Sequence, residues 1–184
     1  MSRFARWVIA IAAITALVYT LVPSLPSPAE WVSAAPAAPA DVCDENAKPA
    51  NLDFKVKDMA GKTVSLASFK GKVILLDFWA TWCPPCKAEI PGFVELQEQY
   101  GDKGLQVVGV SVDDPVEKLA PFAAEFKMNY PVLVGADRED LQDAYGPMWG
   151  IPTTFLISRD GKICRKHSGL VGKDRYEADI KALL

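Results

Sequence analysis

The alternation of hydrophobic and polar residues beyond residue 50 predicts a compact domain that begins with strands. "LDFKVKD", which starts at Leu52, alternates apolar and polar positions as a half-buried strand does. "MAGKTVSL" then predicts a turn and a second short strand. "KVILLDFWA", Lys72 to Ala80, is almost continuously apolar, which is typical of a central strand covered on both faces.

The pattern then changes to alternating helices and strands. A helix is predicted from Pro84 to about Tyr100, because proline suits the first turn of a helix. A buried strand follows over Leu105 to Val112 and a helix over Pro115 to Phe126. Further on come a short strand, a short helix, a hairpin around "RDGK" and a closing amphipathic helix. The order β-β-β-α-β-α-β-α-β-β-α predicts an α/β fold, a mixed central sheet flanked by helices.

The first 50 residues have a different character. Arg3 and Arg6 precede sixteen uncharged, mainly apolar residues, so 1–22 is interpreted as a signal anchor or a cleavable signal peptide. Residues 23–50 are rich in Pro and Ala, which predicts an extended tether, and 51–184 form the folded domain. Since positive charge stays cytoplasmic, the domain is expected on the extracytoplasmic, periplasmic side, either anchored to the membrane or secreted.

Composition narrows the function further. The chain of 184 residues has a net charge of −3, which argues against nucleic acid as a partner. Its cysteines are four: Cys43, Cys83, Cys86 and Cys164. An even number permits paired disulfides in an oxidising compartment.

"DFWATWCPPCKAEIP" places two of these cysteines at a strand-to-helix junction. Cys83 would lie at the helix N-terminus, where the helix dipole favours an anion and lowers the pKa of the thiol. Cys86, one turn further, should be less exposed and less acidic. This asymmetry suits thiol–disulfide exchange. Because Pro84 and Pro85 donate no N–H to the thiolate, we expect a comparatively reducing couple.

The sequence gives less support to other functions of the cysteines. Haem attachment requires a histidine directly after the second cysteine, where this chain has Lys87. A zinc site of Cys83, Cys86, Cys164 and His167 is disfavoured, because the last two lie three apart in a predicted strand and so leave opposite faces. No metal is therefore expected, and His167 is interpreted as an exposed strand residue.

The segment "VILLDFWATWCPPCKAEIP", with "GIPTTFLI" before "DGKI", resembles the thioredoxin superfamily. More narrowly it is similar to the TlpA/ResA-type membrane-tethered thiol–disulfide oxidoreductases, over about Leu52 to Leu184. The resemblance implies a thioredoxin-like fold with an N-terminal β-hairpin extension after a hydrophobic anchor helix. It also implies Cys83 as the attacking thiol and Cys86 as the resolving thiol, with this redox-active disulfide in place of any cofactor.

The resemblance extends to substrate binding. Pro152 matches the cis-proline of the family, which faces the dithiol and docks an extended substrate. The residues expected to line this surface are Trp82, Pro84, Pro85, Ile151, Pro152 and Thr153. Glu89 matches an acidic residue of the subgroup, and its alternative interpretation is a solvated helix charge.

Asp77 matches the buried aspartate of classical thioredoxins, where closer relatives often carry a neutral residue. Burial would raise its pKa toward neutrality, so that it could accept the Cys86 proton as a general base. The alternative is a hydrogen-bonded structural aspartate. Trp79, Trp82 and Trp149 are expected around the dithiol.

Cys43 and Cys164 are the second pair. Spare thiols seldom stay free in an exported protein, so we expect a structural disulfide that ties the end of the tether to the domain. The alternative leaves Cys164 as a small buried hydrophobe and Cys43 free.

These features together predict an exported oxidoreductase that reduces specific protein disulfides. The resemblance suggests haem-site cysteines of apocytochromes c or copper-site thiols of oxidases as clients, and a membrane thiol carrier as electron donor. An anchored metallochaperone and a peroxiredoxin-like peroxidase are the alternatives. The second is disfavoured because Leu76 and Ala80 occupy the positions where that group carries Pro and Thr.

Overall fold

The computed structural model describes residues 42–184. Its strands are β1 Lys55–Lys57, β2 Thr63–Ser65, β3 Val73–Trp79, β4 Leu105–Ser111, β5 Val132–Val134, β6 Thr153–Ile157 and β7 Ile163–Ser168. Its helices are α1 Pro84–Tyr100, α2 Val116–Glu125, α3 Glu139–Ala144 and α4 Lys173–Leu183. Single 3-10 turns follow β2 and α1. The order of strands and helices is the predicted one.

The central sheet is mixed, with the strand order β5-β4-β3-β6-β7. β3 lies at its centre, parallel to β4 and antiparallel to β6. Every residue of β3 is buried, as its continuous apolar pattern predicts. β1 and β2 pair with each other in a separate antiparallel sheet of two strands.

Alternate residues of β3 enter different cores. Leu75 packs with Phe93 of α1 and Tyr176 of α4 on one face of the sheet. Phe78 packs on the other face with Tyr145 and Phe155, whose ring centroids lie 5.6 and 5.9 Å from its own. Since side chains alternate across a strand, Asp77 shares the face of Leu75 and points toward the layer of α1 and α4.

Residues 42–50 run beside the hairpin of β6 and β7. The Ile163 N–H donates to the Lys48 carbonyl at 2.9 Å, and the Ala50 N–H donates to the Gly161 carbonyl at 2.8 Å. Val42 is buried. This end of the Pro/Ala-rich segment therefore packs on the domain.

Within residues 42–184, none of the helices has the length and apolar character needed to cross a bilayer. The predicted anchor, 1–22, lies outside the described residues.

Candidate active site

The start of α1 is built by Cys83 itself. Cys83 is the N-cap residue, with extended backbone angles, and its sulfur is bonded to that of Cys86. The Cys86 N–H donates to Cys83 Sγ at 3.2 Å. Because Pro84 and Pro85 have no N–H, this is the first amide of the helix able to do so. When the disulfide is reduced, the same N–H and the helix dipole favour negative charge on Cys83.

The two sulfurs do not differ in burial. Cys83 is 2% exposed and Cys86 is 1% exposed. Cys86 is the less exposed of the two, as expected, but by so little that exposure does not distinguish them in this disulfide-bonded state, because the loop before β6 covers Cys83. The difference between the cysteines is positional: Cys83 caps the helix and Cys86 lies inside it.

That loop contains a cis peptide bond between Ile151 and Pro152. The Ile151 carbonyl oxygen lies 3.7 Å from Cys83 Sγ. Thr153 is turned inward, and its hydroxyl donates to the Gly150 carbonyl at 2.7 Å. The structure thus brings Ile151 and Pro152 to the dithiol, with the Thr153 side chain holding the turn.

Only two of the three expected tryptophans reach the surface beside the dithiol. Trp82 directly precedes Cys83 and is 59% exposed, while Trp149, two residues before Ile151, is 95% exposed. Trp79 is fully buried against Phe122, with 5.0 Å between ring centroids. Its role is therefore packing beneath the site, and the surface can offer Trp82 and Trp149 to a partner.

A buried carboxylate that sequence analysis missed holds the loop before Cys83. Asp114 accepts hydrogen bonds from the Thr81 N–H at 2.7 Å, the Thr81 hydroxyl at 2.5 Å and the Ser111 hydroxyl at 2.6 Å. The neighbouring Asp113 accepts from the Trp82 indole N–H at 3.0 Å. These contacts fix the loop that carries Cys83 to the end of β4.

Asp77 lies under the first turns of α1. It is 2% exposed and accepts one hydrogen bond from the Thr154 hydroxyl, at 3.0 Å. Burial, helped by the nearby Glu89, raises the pKa of Asp77 to about 8, and the Thr154 hydrogen bond partly opposes this rise. Such a carboxyl can hold or release a proton near neutral pH.

Glu89 is not a solvated helix charge. It is 5% exposed, three residues after Cys86 on the same face of α1. Its Oε1 accepts the Val171 N–H at 2.6 Å and lies 3.2 Å from the Tyr176 hydroxyl, while its Oε2 is buried without a hydrogen-bond partner. Burial raises the pKa of Glu89, and these two hydrogen bonds oppose the rise.

Two hydroxyls lie between these acids, and sequence analysis missed both. The Tyr176 hydroxyl is 3.2 Å from Glu89 Oε1 and 3.2 Å from Thr154 Oγ1, which in turn donates to Asp77. In the sequence, Thr154 looks like any other threonine in a strand, and Tyr176 looks like any other apolar position in a helix. No local signal marks either residue, since only the packing of α4 on β6 joins them.

The remaining candidates lie away from the dithiol. Cys164 is bonded to Cys43, 121 residues earlier. His167 is half-buried rather than exposed: its Nε2 is 3.0 Å from Asp179 Oδ2, and its ring packs edge-on against Tyr176. Burial lowers the pKa of His167, and the Asp179 carboxylate opposes this. The expectation of an exposed histidine was wrong because α4 covers this end of β7.

Because Cys83 caps α1 and the cis-proline loop lies against its sulfur, the site is of the thioredoxin type, and its class is that of the thiol–disulfide oxidoreductases. The comparisons with known proteins agree with this class. The model of the AhpC/TSA family matches residues 47–166.

Two relatives illustrate the similarity in sequence. The thiol–disulfide oxidoreductase ResA of Bacillus thuringiensis subsp. konkukian is 34% identical over 131 residues, which cover 71% of this chain and 75% of ResA. The thioredoxin-like protein YneN of Bacillus subtilis is 37% identical over 131 residues, covering 70% of this chain and 75% of YneN.

Among solved structures, a thiol:disulfide interchange protein of the thioredoxin family from Chlorobium tepidum matches with a TM-score of 0.70 and 31% identity. The match covers 77% of this chain and 99% of that protein. This chain therefore belongs to the AhpC/TSA family, and within the thioredoxin superfamily to the ResA/TlpA type. The predicted thioredoxin-like fold and the oxidoreductase class are confirmed.

Proposed function

We propose that this protein reduces disulfides of exported proteins, with Cys83 as the attacking thiol and Cys86 as the resolving thiol. The observation that carries the proposal is the position of Cys83 as the cap of α1, where its sulfur already accepts the Cys86 N–H. A thiolate at that position is stabilised before any substrate arrives.

The reaction needs two sulfur exchanges. The Cys83 thiolate attacks a client disulfide, forms a mixed disulfide and displaces one client sulfur as a thiolate, which takes up a proton. Cys86 then loses its proton and attacks Cys83 Sγ, so that the second client sulfur leaves. Two electrons have passed from the dithiol to the client, and the Cys83–Cys86 disulfide remains.

Asp77 serves the second exchange as a general base. It faces the layer of α1, and Glu89, which follows Cys86 by three residues in that helix, raises its pKa. Near neutral pH it can take the Cys86 proton at the moment when Cys86 becomes a nucleophile. A carboxylate exposed to solvent, with an ordinary pKa near 4, would be a much weaker base.

The client docks on the surface around Cys83. Trp82, next to Cys83 in the chain, and Trp149, two residues before Ile151, offer exposed aromatic side chains, and the Ile151 carbonyl lies next to the sulfur. An extended segment that carries a disulfide fits this arrangement better than a folded domain does, because it can lie flat across the loop. Pro84 and Pro85 border the same surface.

The cellular setting follows from the N-terminal sequence. Residues 1–22 export the chain and hold it at the membrane or are cleaved, and the clients are proteins that need reduced cysteines in an oxidising space. Haem-site cysteines of apocytochromes c and copper-site thiols are the proposed classes of client. A membrane thiol carrier returns electrons to the dithiol.

Trapping tests the order of the two exchanges. Cys86→Ala cannot resolve the mixed disulfide, so a disulfide-bonded peptide should stay covalently attached to Cys83 and be visible by mass spectrometry without reductant. Cys83→Ala is the matched control and should trap nothing. Attachment to Cys86 in the Cys83→Ala variant, with none to Cys83 in the other, would reverse the proposed roles.

The direction of electron flow has its own measurement. Because Pro84 and Pro85 leave Cys83 with few amide donors, the dithiol should equilibrate with glutathione as a reducing couple. A reduction potential near that of a strong oxidant, about −120 mV, would contradict a reductase.

A further inference from the structure

Asp77 and Glu89 are two buried acids joined by hydroxyl groups. The chain runs from Asp77 Oδ1 to Thr154 Oγ1 (3.0 Å), to the Tyr176 hydroxyl (3.2 Å) and to Glu89 Oε1 (3.2 Å). Thr154 is fully buried and Tyr176 is 1% exposed. The four groups therefore form one continuous path inside the domain.

We propose that Thr154 and Tyr176 form a proton relay that lets Asp77 and Glu89 share one proton, with Glu89 as the outlet to solvent. The proposal rests on the proposed function of Asp77 as the base that takes the Cys86 proton. It adds a route by which that proton leaves a carboxyl with no exit of its own.

Counting hydrogens supports the relay. Each hydroxyl has a single proton, so Tyr176 donates either to Thr154 or to Glu89 at a given moment. If Glu89 is protonated, it donates to Tyr176, Tyr176 donates to Thr154, and Thr154 donates to ionised Asp77. If Asp77 is protonated, every donation reverses and Glu89 is ionised. Both arrangements satisfy the two hydroxyls, and moving one proton along each link converts one into the other.

The far end of the path reaches the surface. Glu89 lines a groove between α1 and the loop before α4, together with Ala88, Gly92, Leu170 and Lys173. Glu89 is itself only 5% exposed, but Ala88 and Leu170, which line the same groove, are exposed. Asp77 lies deeper, at the centre of the sheet. A proton that reaches Glu89 therefore lies at the wall of this groove, nearer to solvent than a proton on Asp77.

The relay changes how Asp77 can lose its proton, and so act as a base, at neutral pH. Burial raises the pKa of both acids, so near neutrality the pair retains one proton. Asp77 can be ionised without releasing that proton to water, because Glu89 can hold it. The fraction of ionised Asp77 is then nearly independent of pH while the pair has one proton.

Other titratable and charged groups face this network and could impose their own pH dependence. Tyr130 is buried, and the charge of Asp77 contributes to its raised pKa. The groups that face Tyr176 or the groove from β7, α4 and α1 are His167, Asp179, Arg175, Lys173 and Glu95. His167 alone among them has an ordinary pKa near neutrality, so it needs a separate control.

The test is the pH dependence of mixed-disulfide resolution. Reduced full-length protein is mixed in a stopped-flow instrument with a fluorescent disulfide peptide, at concentrations where the rate no longer depends on the peptide. In the wild type the rate should change less than about threefold from pH 6 to 8. In Tyr176→Phe it should rise about tenfold per pH unit and approach the wild-type rate above pH 8, because the Asp77 proton must then leave directly to hydroxide, whose concentration rises tenfold per pH unit.

Matched variants separate the relay from packing. Thr154→Val should behave like Tyr176→Phe, whereas Thr154→Ser keeps the hydroxyl and should keep the flat profile. Tyr145→Phe removes a buried hydroxyl on the other side of the sheet, where it donates to the Asn51 carbonyl, and should change nothing. His167→Gln should also leave the profile flat.

The possible failures are distinguishable. If Asp77→Asn slows resolution while Tyr176→Phe and Thr154→Val keep the wild-type rate and profile, the relay is wrong and the base stands. If Asp77→Asn keeps both rate and profile, the proposed base is wrong and the relay with it. A steep wild-type profile that none of the variants alters also overturns the relay.

Discussion

The two disulfides of this protein have the same covalent bond in opposite settings. Cys83 and Cys86 are three residues apart, at the start of a helix beside buried acids. Cys43 and Cys164 are 121 residues apart and join the N-terminal end of the described domain to β7. A loop of three residues restricts the unfolded chain little, whereas a long loop restricts it strongly. The first bond is therefore suited to being made and broken, and the second to being kept.

The surroundings of the two disulfides also suit the first to reaction and the second to stability. Asp77 and Glu89, on the α1 side of the sheet, are buried with few partners, which disfavours their charged forms and destabilises the fold. Cys164 is buried beside the hairpin, and residues 48–50 bond to that hairpin through their backbone. One end of the domain thus gives up stability for reactivity, while the other supplies stability without chemistry.

Removing the attacking sulfur should have the largest effect. Cys83→Ala should lower the rate of insulin disulfide reduction to the uncatalysed rate, because no other sulfur in the site caps a helix. The double variant Cys43→Ser/Cys164→Ser is the control and should retain the wild-type rate at a temperature where it is folded. If both variants lost the same amount of insulin-reducing activity, the assignment of one disulfide to catalysis and the other to stability would be wrong.

The same double variant should have the largest effect on stability. A loop of this length stabilises a fold by about 4–5 kcal/mol in the chain-entropy model, so the urea midpoint should fall markedly. Denaturation followed by circular dichroism measures this. A midpoint equal to that of the wild type would mean that the bond is not structural.

Asp77→Asn should stabilise the protein, and more so at higher pH. The pKa of Asp77 is about 8 in the folded state and near 4 in the unfolded chain, so the folded state retains a proton that the unfolded state loses between these values. Stability of the wild type therefore falls as pH rises from about 4 to 8. Since one pKa unit is worth about 1.4 kcal/mol, the variant should gain a few kcal/mol at pH 8 and little at pH 4.

Urea denaturation at several pH values checks this expectation. Asp113→Asn is a suitable control, because that aspartate lies at the surface and should show no such trend. A stability difference for Asp77→Asn that stays constant from pH 4 to 8 would contradict a raised pKa in the folded state.

The smallest effect is expected at the docking surface. Trp149 is 95% exposed, so Trp149→Ala should leave stability unchanged. It should raise KM for a peptide disulfide a few-fold, by about 1 kcal/mol, because one aromatic contact is lost while kcat stays the same. Leu170→Ala, which also removes an exposed apolar side chain, should leave KM unchanged. If instead Leu170→Ala raised KM and Trp149→Ala did not, the client would dock at the groove beside Glu89 that Leu170 lines.

Local patterns in the chain were sufficient for the order of elements. The continuous run in β3 and the prolines that open α1 place Cys83 at a strand-to-helix junction without any tertiary information. The resemblance added Pro152, and the structure brings the loop of this residue to within 3.7 Å of Cys83 Sγ. Periodicity could not show which side chains would meet across the sheet. His167 was misjudged because the helix that covers it comes after it in the chain.

The sequence alone is enough to predict the α/β class, the place of the dithiol and the chemistry of two sulfurs one helical turn apart, because these depend on neighbours within a few residues. The tertiary structure alone decided that Asp114 holds the loop before Cys83, that both cysteines are buried, and that Thr154 and Tyr176 lie between Asp77 and Glu89. Those contacts join residues from 22 to 87 positions apart, apart from the Ser111–Asp114 pair. The Asp114 contacts exist because β3 and β4 pair, and the contacts of Thr154 and Tyr176 because β3 and β6 pair and α1 and α4 pack on the same face of the sheet.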